Sequence, residues 1–336
     1  MRAIFGPAED ESMDKIIIRP MTPEDWGAVS RIYVEGIATE YATFQTECPP
    51  YTAWDASHTK ECRLVILSGG VLAGWCALHR VDPRWCYRGV AEVSIYVGEQ
   101  FRGHGLGFQL LSALCAAAAK EGIRIILDGV FSHTGSDSLY FNREGRYGPG
   151  GAYRDRNSPY RSWYDFDSGY VGGYRSWWGF ETLPEVEEED PSYGNFVCGK
   201  GGVIDTWLGL GASGFRLDVA DELPDDFIEK IRAAVKAHGE DKLLIGEVWE
   251  DATTKEAFDH RRTYLRGHGL DTTMNYPFRN AAVAFARGED ASAVGEQIMS
   301  ICENYPKPAL DCAMNFLSTH DTERGITAIA GEPANA

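Results

Sequence analysis

The sequence is poor in positive charge. Lys and Arg total 32 against 50 Asp and Glu, which gives a formal net charge of −18. An excess of negative charge repels nucleic acid and anionic membrane surfaces, so we expect neither as a partner. The sequence also lacks any run of about 18 apolar residues, and its acidic start, MRAIFGPAEDESMDK, has no apolar stretch long enough for a signal peptide. These absences exclude a membrane span and predict a cytoplasmic location.

Paired cysteine motifs are missing as well. None of the 8 cysteines forms a C-x-x-C pair, so the sequence predicts free thiols rather than a disulfide framework or a zinc site. The composition is 44% hydrophobic and 24% charged, which excludes disorder. At 336 residues the chain has room for two domains or one large barrel.

The first part of the chain has a mixed helix and strand pattern. KIIIRP is the first strand-like segment, so we assign residues 1–12 to an extension and residues 13–122 to an α+β domain. Thr22 and Pro23 suit the start of a helix, and Gly122 suits the end of the helix that follows RGHGLG. Further strands are expected at RLVIL, VLAGWCALHRV and VAEVSIYV.

From residue 123 the pattern changes to strands that alternate with helices. The strands are IRIILDGV, GFRLDVA, LLIGEVW, DTTMNY and AMNFLSTHD, with helices expected near 201–211, 224–238, 254–266 and 278–302. This alternation predicts a parallel α/β sheet of the (β/α)8 TIM-barrel type, with its active site at the carboxyl ends of the strands. Residues 136–197 are too long for a loop and predict a small inserted subdomain.

Three carboxylates follow predicted strands: Asp218, Glu247 and Asp321. Glycoside hydrolysis needs two carboxyl groups, one protonated and one ionised. Arg216 lies two residues before Asp218, on the same face of its strand, where its charge would keep Asp218 ionised. Glu247 precedes Val248 and Trp249 and is expected in an apolar niche that favours the acid form. The alternative is that each acid is a helix cap or a surface charge.

Four segments in order, DGVFSH, GFRLDVADE, GEVW and FLSTHD, resemble the signature segments of the alpha-amylase family, particularly its neopullulanase and cyclomaltodextrinase-like members. The resemblance covers about residues 122–327 and includes WWGFETLPEVEEEDPSY in the insert. It implies a retaining hydrolase of maltooligosaccharides or cyclodextrins that needs no cofactor.

The resemblance also implies roles for single residues. Asp218 matches the nucleophile, Glu247 the general acid/base and Asp321 the transition-state stabiliser. The implied substrate-binding residues are Arg216, His133, His320 and Asp128. Ser132 stands where many members carry an Asn that helps to bind calcium, so calcium binding is doubtful.

Aromatic residues crowd the insert. Their rings either stack on sugar rings or form the core of the subdomain; those singled out are Tyr140, Tyr147, Tyr153, Trp163, Tyr164, Tyr170, Trp177 and Trp178. The acidic run 185–190 is interpreted as a solvated face rather than a metal site.

RGHGLG, at residues 102–107, places glycines where backbone N–H groups can approach a pyrophosphate at a helix N-terminus. Taken alone, this glycine pattern is better interpreted as a plain glycine-rich turn. Together with GIATEYATFQTE and YRGVAEVSIYV it resembles the GNAT acyltransferases of the phosphinothricin acetyltransferase-like group.

That second resemblance covers residues 13–122 and implies that the chain binds acetyl-CoA. The implied binding residues are Arg102, Gly103, Gly105, Gly107 and Val97, and Glu92 matches the position proposed as general base. The alternatives are a surface charge for Arg102 and a strand-edge carboxylate for Glu92.

Both resemblances are incomplete and meet within the same few residues. The barrel segment, 123–336, lacks its first two strands and its eighth, and the acyltransferase lacks the strands after its phosphate-loop helix. We therefore interpret the chain as a chimera in which strand 123–130 serves one domain or the other, and in which a second copy could complete the barrel. The leading hypothesis is an alpha-glucan hydrolase behind a truncated GNAT domain. The alternatives are an acetyl-CoA-dependent N-acetyltransferase of a small amine, or a chain in which neither part is active.

Overall fold

The computed structural model describes residues 15–82 and 84–330. The extension assigned to residues 1–12 lies outside these residues. The chain divides into two compact units, one reaching to Ile125 and including Leu210–Ala212, the other formed by Ile126–Gly209 and the chain from Ser213. The domain boundary between residues 122 and 123 stays a prediction.

The first unit is an antiparallel sheet with helices. Its strands run in the order β1-β2-β3-β4. The elements are β1 (Ile17–Pro20), α1 (Trp26–Ile37), α2 (Tyr51–Ser57), β2 (His58–Ser68), β3 (Val71–Arg80), β4 (Ala91–Val97) and α3 (Leu106–Lys120). All the strands and helices expected in this unit are present. They are the strands at KIIIRP, RLVIL, VLAGWCALHRV and VAEVSIYV, the helix expected to start near Thr22 and Pro23, and the helix after RGHGLG.

The two faces of this sheet are covered by different helices. Trp75 and Ala77 of β3 belong to a buried cluster with Val29 and Ile32 of α1 and Trp54 of α2. Gly74 and Cys76 alternate with them and lie against Leu110 of α3. The sheet is therefore buried on both faces, which accounts for the continuous apolar run of β3.

Helix α3 begins and ends at glycines in the left-handed conformation. Gly105 has φ 73° and Gly122 has φ 72°. The Ile123 N–H donates to the Ala118 carbonyl at 2.9 Å, so the helix closes as expected for a glycine just beyond its last turn.

The second unit contains a parallel sheet in the order β10-β7-β6-β5. Helices lie between its strands, as expected for a partial TIM-barrel-like α/β fold. The elements are β5 (Ile126–Gly129), α4 (Pro191–Cys198), α5 (Val203–Gly209), β6 (Gly214–Leu217), α6 (Asp225–Lys236), β7 (Leu243–Gly246), β8 (Glu256–Ala257), β9 (His260–Arg261), β10 (Thr272–Thr273), α7 (Tyr276–Ala286), α8 (Ala291–Asn304), α9 (Lys307–Asp311) and α10 (Gly325–Ala330). Strand β5 pairs with β6. The strand expected at residues 123–130, which the sequence could assign to either domain, is therefore part of the parallel sheet of the second unit.

Residues 136–190 contain short helical turns, bends and single antiparallel bridges such as Ser176 with Pro184, and an aromatic core holds them together. Phe141 is fully buried and contacts the rings of Tyr153, Tyr164, Phe166 and Tyr174. Trp163 is also buried and contacts a second group of rings, those of Tyr140, Tyr160, Tyr193 and Phe196. Of the eight aromatic residues singled out in the sequence, Trp163 and Tyr164 are buried in this core, whereas Tyr147, Tyr170 and Trp178 are exposed.

Three expected elements are wrong. Residues 254–266 form the β8–β9 hairpin instead of a helix, because Phe258 and Asp259 adopt positive φ values of 53° and 60° in its turn. The helix expected over 278–302 is the pair α7 and α8, separated at Gly288, which has φ 88°. The strand expected at 313–321 is a single parallel bridge between Met274 and Met314.

No helix within residues 15–82 or 84–330 is long and apolar enough to cross a membrane.

Candidate functional site

Three acidic side chains meet one arginine at the carboxyl ends of the parallel strands. The register pairs Asp128 of β5 with Arg216 of β6, and Leu217 of β6 with Gly246 of β7. Asp218 and Glu247 are therefore the first residues beyond neighbouring strands. The Arg216 guanidinium contacts Asp218 at 2.6 Å, Asp128 at 2.8 Å and Glu247 at 2.8 Å. The structure brings these four predicted site residues together.

Burial decides the ionisation balance at Asp218. Burial raises the pKa of Asp218 above its ordinary value, although the hydrogen bond and charge of Arg216 act to lower that pKa. The sequence shows the arginine beside Asp218 but does not show that the Asp218 carboxyl is buried away from water. Burial alone would lower the pKa of Arg216, but contacts with Asp128, Glu247 and Asp218 raise it overall, so the guanidinium stays charged.

Glu247 is 3% exposed, and both of its carboxylate oxygens are held. Its Oε2 accepts the backbone N–H of Val219 at 2.9 Å as well as contacting Arg216. Its Oε1 accepts the indole N–H of Trp249 and the hydroxyl of Tyr276, each at 3.2 Å. The Trp249 and Tyr276 rings stack with centroids 4.3 Å apart. Glu247 is thus held on one side by the charge of Arg216 and on the other by two aromatic donors. The apolar niche expected for Glu247 is wrong, because polar groups contact both of its oxygens.

Val219 is the backbone residue that makes this arrangement possible. It has φ 38°, a left-handed conformation that is rare for a β-branched residue. That conformation turns its N–H onto Glu247. A strained residue held at a charged cluster is typical of functional sites.

His133 lies at the border of the carboxylate cluster. Burial lowers the pKa of His133, and the negative charges of Asp218 and Glu222 act in the opposite direction. Its Nδ1 is 2.9 Å from the Ser132 hydroxyl, and its ring lies 5.5 Å from the ring of Trp177. His133 therefore connects the carboxylates to aromatic residues of the insert.

Asp321 and His320 are not in direct contact with the other carboxylates. They pair with each other at 3.1 Å, and their side chains are 38% and 55% exposed. Burial raises the pKa of Tyr276 to about 12, and the charges of Glu247 and Asp321 act in the same direction.

In the first unit, the loop Gly98–Gly105 joins β4 to α3 and lies beside an open cavity of about 360 Å³. The cavity is lined by Gly36, Tyr41, the β4 residues Ile95 to Val97, and Arg102. Arg102 donates from Nε to the Val97 carbonyl at 3.1 Å. Gly103 and Gly105 have φ values of 80° and 73°, and the first N–H groups of α3 have no partner inside the helix. This arrangement suits an anionic group at the start of α3.

Glu92 lies away from this cavity. It is about 16 Å along the strand from Val97, at ~3.3 Å per residue. Its carboxylate is 75% exposed and 3.8 Å from His79. The interaction with His79 lowers the pKa of Glu92, and a lowered pKa makes a weaker base.

Comparison with known proteins fits the division into two units. A family model described as "Alpha amylase, catalytic domain" matches residues 107–335. The chain belongs to the alpha-amylase family. A second model, "Acetyltransferase (GNAT) family", matches residues 28–143, so the two matches overlap at α3 and β5. A chimeric chain is consistent with both matches.

The alpha-amylase-family relatives include an amylopullulanase from Thermoanaerobacterium saccharolyticum, 36% identical over 66% of this chain and 19% of that protein. A cyclomaltodextrinase from Geobacillus thermopakistaniensis (strain MAS1) is 30% identical over 67% of this chain and 36% of its own length. A solved structure, cyclic alpha-maltosyl-(1→6)-maltose hydrolase from Arthrobacter globiformis, has 27% identity and a TM-score of 0.57 over 66% of this chain and 48% of that chain. The chain thus spans less than half the length of each.

The alpha-amylase-family unit offers little to a metal ion. Within the described parts of the chain, no three His, Cys, Asp or Glu side chains form a cluster that could hold one. Ser132, at the position where calcium-binding members carry Asn, is 2% exposed and its hydroxyl bonds to His133. The Ser132 hydroxyl is therefore engaged by a neighbouring side chain.

Sequence reasoning missed two contacts of the alpha-amylase-family site. Tyr276 is the third residue after β10, so its place near a strand end was an available signal. The Val219 N–H carried no signal, because a left-handed conformation at a valine cannot be read from residue type.

Proposed function

We propose that the chain is a retaining alpha-glucan hydrolase fused to a GNAT-like domain. The observation that carries the proposal is that one guanidinium, Arg216, holds Asp218 and Glu247 side by side at the strand ends. Two carboxyl groups in different surroundings are what glycoside hydrolysis requires.

The reaction follows from the positions of the two groups. Asp218 Oδ attacks the anomeric carbon and forms a β-glucosyl ester, while Glu247 gives a proton to the departing glycosidic oxygen. Glu247 then takes a proton from water, the water oxygen attacks the anomeric carbon, and Asp218 leaves as a carboxylate. Arg216 stays charged throughout and stabilises Asp218 in its ionised state. We assign transition-state stabilisation to Asp321 and substrate contact to His320, the roles that the family resemblance implies for them.

Maltooligosaccharides or cyclodextrins are the proposed substrates, in keeping with the names of the cyclomaltodextrinase and amylopullulanase relatives. Among the described residues, β5 pairs with β6 alone, and unpaired strand edges favour association. We therefore also propose a homo-oligomer, which light scattering would detect as a molar mass above that of one chain.

The test is the release of glucose or maltose from maltotriose. Asp218→Asn and Glu247→Gln should each lower the release by at least ~1,000-fold, since each removes a reacting group. Asp137→Asn is the matched control, because Asp137 is an exposed carboxylate paired only with Arg146 at 2.8 Å. Release that is absent in the wild type, or equal in Asp218→Asn, would contradict the proposal.

A second candidate function is acetyl transfer from acetyl-CoA to a small amine. The cavity beside Arg102 and the start of α3 favours it. Arg102 and the N–H groups near Gly103, Gly105 and Gly107 would hold the pyrophosphate, and the edge of β4 at Val97 would pair with the pantetheine.

Gly105→Asp should abolish acetyl-CoA binding in calorimetry, because it adds a negative charge and strains a backbone with φ 73°. Gly27→Asp, at an exposed glycine early in α1, should leave binding unchanged. Wild-type protein that binds no acetyl-CoA would remove this function.

A further inference from the structure

Three aromatic rings of the insert form a stack at its surface, which we call the aromatic platform: Trp177, Trp178 and Phe180. The Trp177 and Trp178 rings are stacked with centroids 5.3 Å apart and 19° between their planes. The Phe180 ring lies 6.1 Å from Trp177 at an angle of 26°. Both neighbouring rings are therefore tilted by less than 30° from the plane of Trp177.

The platform is not part of the core of the subdomain. Trp178 is 77% exposed and Phe180 is 55% exposed, whereas Trp163 is only 3% exposed. Trp178 also has φ 48°, a backbone conformation that few tryptophans adopt. A large apolar ring that is kept in water on a strained backbone does not contribute to the stability of the subdomain by burial.

The platform lies next to the carboxylate cluster. The Trp178 indole N–H donates to Glu222 Oε1 at 2.8 Å, and Glu222 lies in the loop that follows Asp218. His133 follows the carboxyl end of β5, the strand that pairs with β6, and its ring lies 5.5 Å from the Trp177 ring. The platform therefore lies beside the loops that follow β5 and β6, where His133 and Asp218 are found.

We propose that Trp178 binds a glucosyl ring of the same alpha-glucan whose scissile bond reaches Asp218 and Glu247, at a position beyond the reacting sugar. The inference rests on the proposed hydrolase function and assigns the platform to chain-length preference. The apolar C–H face of a glucosyl ring stacks on the exposed face of an indole. Glu222, bonded to the same indole, is an acceptor for the hydroxyl groups at the edge of that ring.

The expected effect depends on substrate length. Loss of one stacked ring should weaken binding of maltoheptaose by roughly 5- to 30-fold, the range set by apolar area covered on one ring face. Substrates too short to reach beyond His133 should be unaffected. Trp178→Phe keeps a ring but loses the N–H to Glu222, so its effect should fall between wild type and Trp178→Ala.

The experiment compares kcat/KM for maltoheptaose and for 4-nitrophenyl α-glucoside in wild type, Trp178→Ala and Trp178→Phe. The matched control is Trp85→Ala, which removes a tryptophan that is 74% exposed in the first unit. The proposal predicts that Trp178→Ala lowers kcat/KM for maltoheptaose alone, through a raised KM with kcat unchanged. Trp85→Ala should leave kcat/KM unchanged for both substrates. An equal loss for both substrates, or no loss, would overturn it.

Calorimetry of maltoheptaose on Asp218→Asn separates this inference from the proposed function. Binding that weakens when Trp178→Ala is added supports the platform even if the wild type hydrolyses nothing. Hydrolysis by the wild type with affinity independent of Trp178 overturns the platform alone. If neither the wild type nor Asp218→Asn binds maltoheptaose, the proposal that Trp178 binds a glucosyl ring is also overturned.

Discussion

Replacement of Arg216 with methionine should destabilise the second unit in a pH-dependent way. Arg216 is the shared partner of Asp218, Glu247 and Asp128, and its side chain is 12% exposed. Breaking a buried ion pair from one side costs about 3–5 kcal/mol because the remaining charge is unpaired. Glu247 is 3% exposed and Asp218 is 20% exposed, so these two carboxyl groups account for most of this cost, whereas Asp128 is 54% exposed and water would solvate it once the guanidinium is removed. We expect Arg216→Met to lower the free energy of unfolding by about 3 kcal/mol at pH 7.5, which corresponds to a fall in Tm of roughly 6–12 °C.

Thermal unfolding followed by circular dichroism measures the effect, with Arg146→Met as control. Arg146 and Asp137 form a pair whose side chains are 65% and 50% exposed, so its loss should cost less than about 1 kcal/mol. Burial raises the pKa of Asp218, and a raised carboxyl pKa in the folded state means that stability falls as the pH rises through that pKa. The deficit of Arg216→Met should therefore be smaller at pH 4.5 than at pH 7.5. A Tm loss equal to that of Arg146→Met, or one independent of pH, would refute the reasoning.

Two further changes test the site and the sheet. Tyr276→Phe removes one of two donors to Glu247 Oε1 and should lower kcat on maltotriose by about tenfold with KM unchanged, whereas an unchanged kcat would show that the hydroxyl is not needed. Gly214→Ala would place a Cβ 2.0 Å from the Leu243 carbonyl oxygen and should cost about 3 kcal/mol in urea denaturation. Gly295→Ala, in α8 with open space around it, should instead stabilise by about 0.5–1 kcal/mol, and equal results for the two alanines would contradict the close strand contact.

Most of the fold could be predicted because local signals agreed with the tertiary structure. The β3 segment is a continuous apolar run since helices cover both faces of its sheet, and α3 ends at Gly122 because only a glycine suits the left-handed turn there. The errors occur where a turn overrides propensity. Residues 254–266 have helix-forming composition, but positive φ values at Phe258 and Asp259 make a hairpin.

The site was predictable in its composition and less so in its geometry. Strand ends placed Asp128, Asp218 and Glu247 near Arg216, because parallel strands present their carboxyl ends at one edge. The loop that carries His320 and Asp321 is different. Its expected strand is a single bridge at Met314, so no regular ladder fixes the position of these two residues.

The most direct measurement is covalent trapping of the glucosyl-enzyme with a slowly hydrolysed fluorinated α-glucosyl fluoride, followed by mass spectrometry of the digested chain. The proposed mechanism predicts one adduct, on the peptide that carries Asp218, and none in Asp218→Asn. An adduct on a different carboxylate, or turnover of maltotriose to the inverted anomer without any adduct, would contradict the claim that Asp218 and Glu247 act as nucleophile and acid/base of a retaining hydrolase.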